Sequence, residues 1–248
     1  MLWRALSGVR HGFYIDVGAG DPDRDSVTRA FYERGWHGIN VDPDPGCFAA
    51  LTERRERDVN LPVALADAPG LRRFHAVSVP GLSTLCSDIA FHYRARGWGV
   101  QRTRVRVATL AEVCRQHVNG DVHFLKIDVE GGEGAVLQGA DFAACRPWIV
   151  LAEATVPLTQ KENYAGWEPL LTSSDYRFVW FDGLNRFYVA VERYTELSAH
   201  FRVPPNCFDR FVVADPDKEA LAAELRAAKA ALEEFRAQQD SDRQADPA

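Results

Sequence analysis

The side chains that could do chemistry in this sequence gather where apolar runs end. Residues 122–131 read Val-His-Phe-Leu-Lys-Ile-Asp-Val-Glu-Gly, which places Asp128 and Glu130 just before a break at Gly131-Gly132. A second run, Pro147 to Ala152, ends in Glu153. If these runs are neighbouring strands, their carboxyl ends converge on one cleft, which is where open α/β sheets bind ligands. Carboxylates there can bind a divalent cation through oxygen, with Asp128 and Glu153 the metal candidates, orient a substrate hydroxyl, or act as a base. The alternative is a solvated rim with Lys126 and arginines as partners.

A second group lies toward the amino end. Phe13 to Val17 reads as a strand and runs into Gly18-Ala19-Gly20, with Asp16 beside the turn. Glycines let a backbone approach a ligand closely. There is no third glycine, because Asp23 stands where a dinucleotide fingerprint would want it. An acid at Asp16 suits a ligand with a cationic amino-acid end better than a pyrophosphate. Gly38 to Asp42 is a second strand ending in an acid, 22 residues past Gly20. Asp42 there can accept hydrogen bonds from both hydroxyls of a ribose. Asp67 follows a third strand at 61–65 and is either an adenine neighbour or an ordinary turn acid. Arginines between 94 and 106 either hold an acidic substrate or line a solvated strand face. His75, His92 and His123 have neither ligand spacing nor a nucleophile partner.

The elements that must position these residues follow from pattern. A helix is expected from Ser26 as N-cap to a stop at Gly35. Thr109 and Glu112 fit a capping box ahead of the 122–127 strand. Residues 133–140 and 167–172 read as helices. Tyr176 to Phe181 and Phe187 to Val191 read as a hairpin across Asp182-Gly183. The sum is a parallel βα series closed by an antiparallel pair. Residues 70–107 are the least regular. From Asp215 the composition shifts, and Leu221, Leu225, Ala228, Leu232 and Phe235 recur at heptad spacing. The expected organisation is one α/β domain over 1–214, an amphipathic helix or short coiled coil over 215–239, and a polar tail over 240–248.

Bulk properties narrow the class. The net charge is −6. Nine acids and five bases after residue 214 account for −4 of it, leaving about −2 on the α/β part. That argues against a nucleic-acid protein, which would carry a basic excess. No run reaches transmembrane length, and the first twenty residues lack a signal-peptide pattern. The five cysteines form no CxxC pair, so free thiols in a reducing cytoplasmic setting are expected.

Residues 14–20 (Tyr-Ile-Asp-Val-Gly-Ala-Gly), 40–45 (Asn-Val-Asp-Pro-Asp-Pro), 125–131 (Leu-Lys-Ile-Asp-Val-Glu-Gly) and the acid after the 147–152 strand resemble the FkbM family of S-adenosylmethionine-dependent methyltransferases. Gly81-Leu-Ser-Thr84, Arg146-Pro-Trp148, residues 181–188 and Pro204 to Asp209 resemble a subgroup found with glycan-assembly enzymes. The likeness runs from about residue 11 to 211. It implies a class I methyltransferase fold: a Rossmann-like seven-stranded sheet whose last strand is antiparallel. It also implies methyl transfer to a hydroxyl, of the kind found on sugars and polyketide-type products. Family members often carry Asn where this chain has Ala19, and Glu where it has Asp42.

The expected site follows from joining that likeness to the residues. Asp16, Gly18 and Gly20 would hold the methionine end of the cofactor, Asp42 the ribose, and Asp67 the adenine border, with Asp128 nearest the methyl group. Glu130 or Glu153 would take the hydroxyl proton, at the cost of a pKa mismatch. Otherwise a Mg²⁺ ion on some of these acids would lower the hydroxyl pKa. Ser83, Thr84, Asn185 and Arg186 are candidate substrate contacts. Two other classes stay open: an NAD-dependent oxidoreductase, and a non-catalytic module docking a glycosyltransferase through the C-terminal helix, which could also serve self-association.

Overall fold

A computed structural model describes residues 1–209. The chain divides into a unit spanning Met1–Pro204 and a second spanning Pro205–Ala248. The expected 215–239 helix and 240–248 tail lie outside the described residues. Within the second unit, Cys207–Asp209 forms a 3₁₀ turn.

The first unit is built on two sheets. Its strands are β1 (Phe13–Val17), β2 (His37–Val41), β3 (Val59–Leu61), β4 (Ala64–Leu65), β5 (Gly70–Val77), β6 (Val100–Ala108), β7 (Phe124–Ile127), β8 (Ile149–Glu153), β9 (Tyr176–Phe181) and β10 (Asn185–Ala190). Its helices are α1 (Leu2–Leu6), α2 (Arg29–Tyr32), α3 (Pro45–Arg54), α4 (Ser87–Ala95), α5 (Leu110–His117), α6 (Glu133–Gln138), α7 (Glu168–Thr172) and α8 (Tyr194–Leu197). The larger sheet runs β3-β2-β1-β7-β8-β10-β9. From β3 to β8 every pairing is parallel, and β10 is antiparallel to both β8 and β9. The antiparallel close of the parallel series is as the pattern predicts, and the seven strands are as the resemblance implies.

The central strands read as largely apolar runs, interrupted by Asp16, Asn40 and Lys126, because both faces are covered. Alternation along each strand sends Ile15, Ile39, Leu125 and Val150 to one face, where α5 and α6 supply Leu110, Val113, Val136 and Leu137. Tyr14, Phe124, Ile149 and Leu151 go to the other face, against Leu2, Leu6, Phe31, Trp36 and Phe201. The sheet is thus clamped from both sides, and its carboxyl edge is held rigid for the residues that follow it.

Three expectations change. The single strand at 61–65 is two, β3 and β4, in different sheets. Pro62 has no N–H to continue a ladder, so the chain leaves the large sheet there. The Ser26 cap is not used. The helix there, α2, is only the turn Arg29–Tyr32 with Thr28 at its N-cap, and Thr28 donates its hydroxyl to Asp16 at 3.0 Å instead of capping. Finally, the irregular stretch 70–107 holds a small sheet of order β4-β6-β5 and the nine-residue helix α4. The Thr109–Glu112 capping box and the hairpin across 182–184 form as expected. All five cysteines are free thiols.

Candidate active site

The carboxyl ends of β1, β2, β7 and β8 meet at one edge of the large sheet. The turn after β1 needs its first glycine twice over. Gly18 has φ 77°, a left-handed conformation, and a Cβ there would come within 1.8 Å of the Asp128 carbonyl oxygen. Gly20 is also left-handed, at φ 61°, but has open space beside it. Asp42 ties this turn to the end of β2. One oxygen accepts from Gly20 N–H at 2.9 Å and the other from Asp44 N–H at 2.8 Å. A carboxylate has about four acceptor sites, so each oxygen keeps capacity for a ligand hydroxyl. Burial raises the Asp42 pKa, against the pull of those two backbone donors.

Beneath the turn lies a group that sequence reasoning cast only as a rim partner. Lys126, on β7, is buried, and its ammonium donates to the Gly18 carbonyl at 2.8 Å. It also sits 3.2 Å from Asp16 and 3.5 Å from Asp128. Burial pulls its pKa down, yet the Asp16 and Asp128 carboxylates outweigh that and hold it above the usual lysine value. Asp16 is fully buried, with one oxygen on Lys126 and the other on Thr28. It therefore holds the turn from below and presents no exposed carboxylate to a methionine amino group.

Asp128, Glu130 and Glu153 come together as expected. One oxygen from each lies within 4.8 Å of the others. Glu130 has φ 56°, costly for a side chain with a Cβ, and two contacts fix it. Thr84 donates its hydroxyl to the Glu130 carbonyl at 2.7 Å, and Tyr93 donates its phenol to the Glu130 carboxylate at 3.0 Å. Behind the loop, Glu133 accepts from the N–H groups of Val129 and Gly131. Glu153 is buried, and its Oε2 has no hydrogen-bond partner among the described residues. The same holds for the Thr155 hydroxyl, two residues on. Burial, then the Asp128 charge, pushes the Glu130 carboxyl up to about 7. Burial, then the Asp128 and Glu130 charges, pushes Glu153 up to about 9. The three acids open on a cleft of about 510 Å³ also lined by Thr155, Leu158, Thr159, Gln160 and Leu184.

The remaining candidates fall around this centre. Asn185 is registered opposite Glu153 across the β8–β10 ladder, at the cleft edge. Arg186 is turned inward. It stacks 3.6 Å from the Tyr164 ring and 3.8 Å from Phe178, and donates to Tyr188 and Glu168. These contacts, with an ion pair to Glu162, fasten it to the 155–168 segment, which lines the cleft. Thr84 is likewise buried and occupied on Glu130, and the Ser83 hydroxyl accepts from Val77 N–H. These two support the site from behind. Asp67 is half exposed and paired with Arg72 at 2.7 Å. Lys126, Tyr93, Glu133 and Thr155 were missed. Only Lys126 carried a signal, as a lysine inside an otherwise apolar strand.

A seven-stranded sheet of this order, with a glycine turn after its first strand, an acid ending its second, and acids ending the fourth and fifth, defines the class I methyltransferase fold. Residues 16–178 match the family model described as "Methyltransferase FkbM domain", and the chain belongs to that family. Among solved structures, that of the methyltransferase FkbM from Methylobacillus flagellatus KT is similar at 13% identity and a TM-score of 0.43. The match covers 72% of this chain and 43% of that one, so this chain spans under half of that protein's length. Among curated proteins none matches. Family membership implies S-adenosylmethionine as the methyl donor and sets aside the NAD-dependent reading. The glycine turn and the spare acceptor capacity of Asp42 fit a ligand that carries a ribose. Among the described residues no helix is long and apolar enough to cross a membrane.

Proposed function

We propose that the protein is an S-adenosylmethionine-dependent O-methyltransferase whose acceptor is a hydroxyl of a sugar in a glycan. The observation that carries this reading is the pair of glutamates in the cleft, with carboxyls raised by burial beside Asp128. When bound, S-adenosylmethionine supplies an electrophilic methyl on a sulfonium sulfur, and transfer forms the oxygen–methyl bond as the sulfur–methyl bond breaks. Asp42 and the Gly18–Gly20 turn hold the nucleoside and its neighbouring chain. Lys126 fixes the turn and Asp128 in one frame, so that alignment is built in before the acceptor arrives.

A sugar hydroxyl is a weak nucleophile while it keeps its proton. Glu130, with its carboxyl near 7, is ionised often enough at neutral pH to accept that proton, and basic enough to want it. Glu153, near 9, keeps its own proton and can donate a hydrogen bond to the acceptor. The pKa mismatch expected for an ordinary carboxylate is thereby narrowed. A second reading of the same three oxygens is a Mg²⁺ site, favoured by their mutual approach within 4.8 Å. Unchanged turnover after chelation would remove it.

The test is methyl transfer from labelled S-adenosylmethionine to a panel of glycans, with calorimetry of cofactor binding alongside. Asp42→Ala should weaken cofactor binding by about tenfold or more, as expected for loss of a hydrogen bond to a charged group. Equal binding by both proteins would sink the cofactor site. Tight binding with no labelled glycan, lipid or protein acceptor would sink the enzyme reading and favour a docking module.

A further inference from the structure

The small sheet carries a feature that the methyl-transfer reading does not use. In the β5–β6 ladder, residues directly opposite each other share a face. Leu71 faces Arg106, Arg73 faces Arg104, and His75 faces Arg102. Phe74 and Val107 lie on the other face and are buried, so the arginine face is outward over Leu71, Arg73, Arg104 and Arg106, while His75 at its far end is buried beside α4. Arg73, Arg102, Arg104 and Arg106 are all exposed. None has an acidic partner among the described residues, although other surface arginines such as Arg29, Arg54, Arg72 and Arg146 do. Like charges directly across a ladder destabilise it. Here they stand uncompensated, in a chain whose net charge is −6.

We propose that this ribbon binds an anionic glycan, holding its carboxylate or phosphate groups on Arg73, Arg102, Arg104 and Arg106 while a hydroxyl of the same molecule enters the acid cleft. The last clause rests on the proposed function; the binding itself does not. Two structural links join ribbon to cleft. His75 pairs with Thr84, whose hydroxyl holds the Glu130 carbonyl. Helix α4 meets His75 through Ser87 and Glu130 through Tyr93, and its Arg94 donates to the Val100 carbonyl at the start of β6.

Charge explains the division of labour. The cleft carries the Asp128 carboxylate and, as it ionises, that of Glu130, and these repel anionic parts of a substrate. An acidic glycan can enter only hydroxyl first, with its charges held elsewhere. Arginines two residues apart on β6 repeat every ~6.6–6.8 Å, which suits a polymer with recurring charges. A nucleic acid would want exposed aromatic platforms for its bases, and this face offers Leu71 instead.

The test uses the full chain, fluorescently labelled polygalacturonate for carboxylate, a phosphorylated mannan for phosphate, and dextran as the neutral control. Anisotropy should show binding of at least one anionic polymer and not of dextran, weakening as salt rises. Arg102→Ala, Arg104→Ala and Arg106→Ala should each weaken it by ~2- to 5-fold, as for exposed ion pairs, with S-adenosylmethionine affinity unchanged and the unfolding midpoint not lowered. The two polymers tell carboxylate from phosphate. Absence of binding to both, equal binding by the triple variant, or tighter binding of single-stranded RNA or an acidic peptide would overturn the proposal. Retained glycan binding with no methyl transfer to any acceptor would reject the enzymatic reading and leave the ribbon standing.

Discussion

Glu130 and Glu153 face the same cleft, but their surroundings set them apart. Glu130 has a phenol on its carboxylate, and Glu153 has a buried oxygen with no partner among the described residues. With Glu130 as the proton acceptor, turnover rises with pH through about 7 as it ionises. That limb belongs to the coupled cluster, so the variant decides its source. Glu130→Gln should abolish the limb and cost ~10²–10⁴-fold in kcat/KM, read from pH profiles of labelled methyl transfer. If Glu153→Gln removes the limb instead, the two roles are exchanged. Glu153 also makes a stability prediction. Its folded pKa, about 9, lies above the ordinary 4.5, so above about 4.5 the unfolded chain binds fewer protons than the folded one. Wild-type stability from this group is therefore greatest at low pH and falls as pH climbs toward 9. Glu153→Gln has no such loss, so its Tm advantage should widen from pH 5 to pH 8, at ~2–4 °C per kcal/mol recovered. A gap independent of pH would show that Glu153 titrates normally.

The turn after β1 works only because β7 ends beside it. Gly18→Ala would push a Cβ toward the Asp128 carbonyl, which is backbone and cannot swing aside, at a left-handed φ. Two penalties combine there, so a loss of ~2–4 kcal/mol is expected in denaturant titration, with cofactor binding impaired in the fraction that folds. Gly20→Ala, with open space and only the φ penalty, should cost ~1–2 kcal/mol. Equal costs would mean that β7 does not press on the turn. This pair also shows what was legible in advance. β1, β2, β7 and β8 could be read because strands buried on both faces are largely apolar runs that lead into glycine or an acid. Helix α4 could not, because Phe91 on it is 68% exposed and blurs the periodicity that Ala90 and Tyr93 would show. Its contribution, the Tyr93 phenol on Glu130, joins residues 37 apart, and no local pattern carries that. The inward turn of Arg186 was hidden for the same reason. Its cage draws on Tyr164, Glu168, Phe178 and Tyr188, and only the fold assembles them.

At the scale of the whole molecule, the hydrophobic clusters on the two faces of the large sheet extend, among the described residues, from Leu2 to Phe201. Arg4 of the first helix reaches the carbonyls of His200, Val203 and Pro204 and closes that unit on itself. The two sheets and the acids Asp128, Glu130 and Glu153 lie within the Met1–Pro204 unit. A chain ending at Pro204 should therefore unfold in one cooperative transition and bind S-adenosylmethionine as the full chain does, measured by thermal unfolding and calorimetry. For the heptad spacing from Leu221 to Phe235 we propose a separate task, association of one chain with another. Light scattering should find the full chain as a dimer or larger and the shortened chain as a monomer. A shortened chain that melts broadly, or that loses the cofactor, would mean that residues beyond 204 belong to the core. A full chain that is itself monomeric would leave the heptads to bind a different protein.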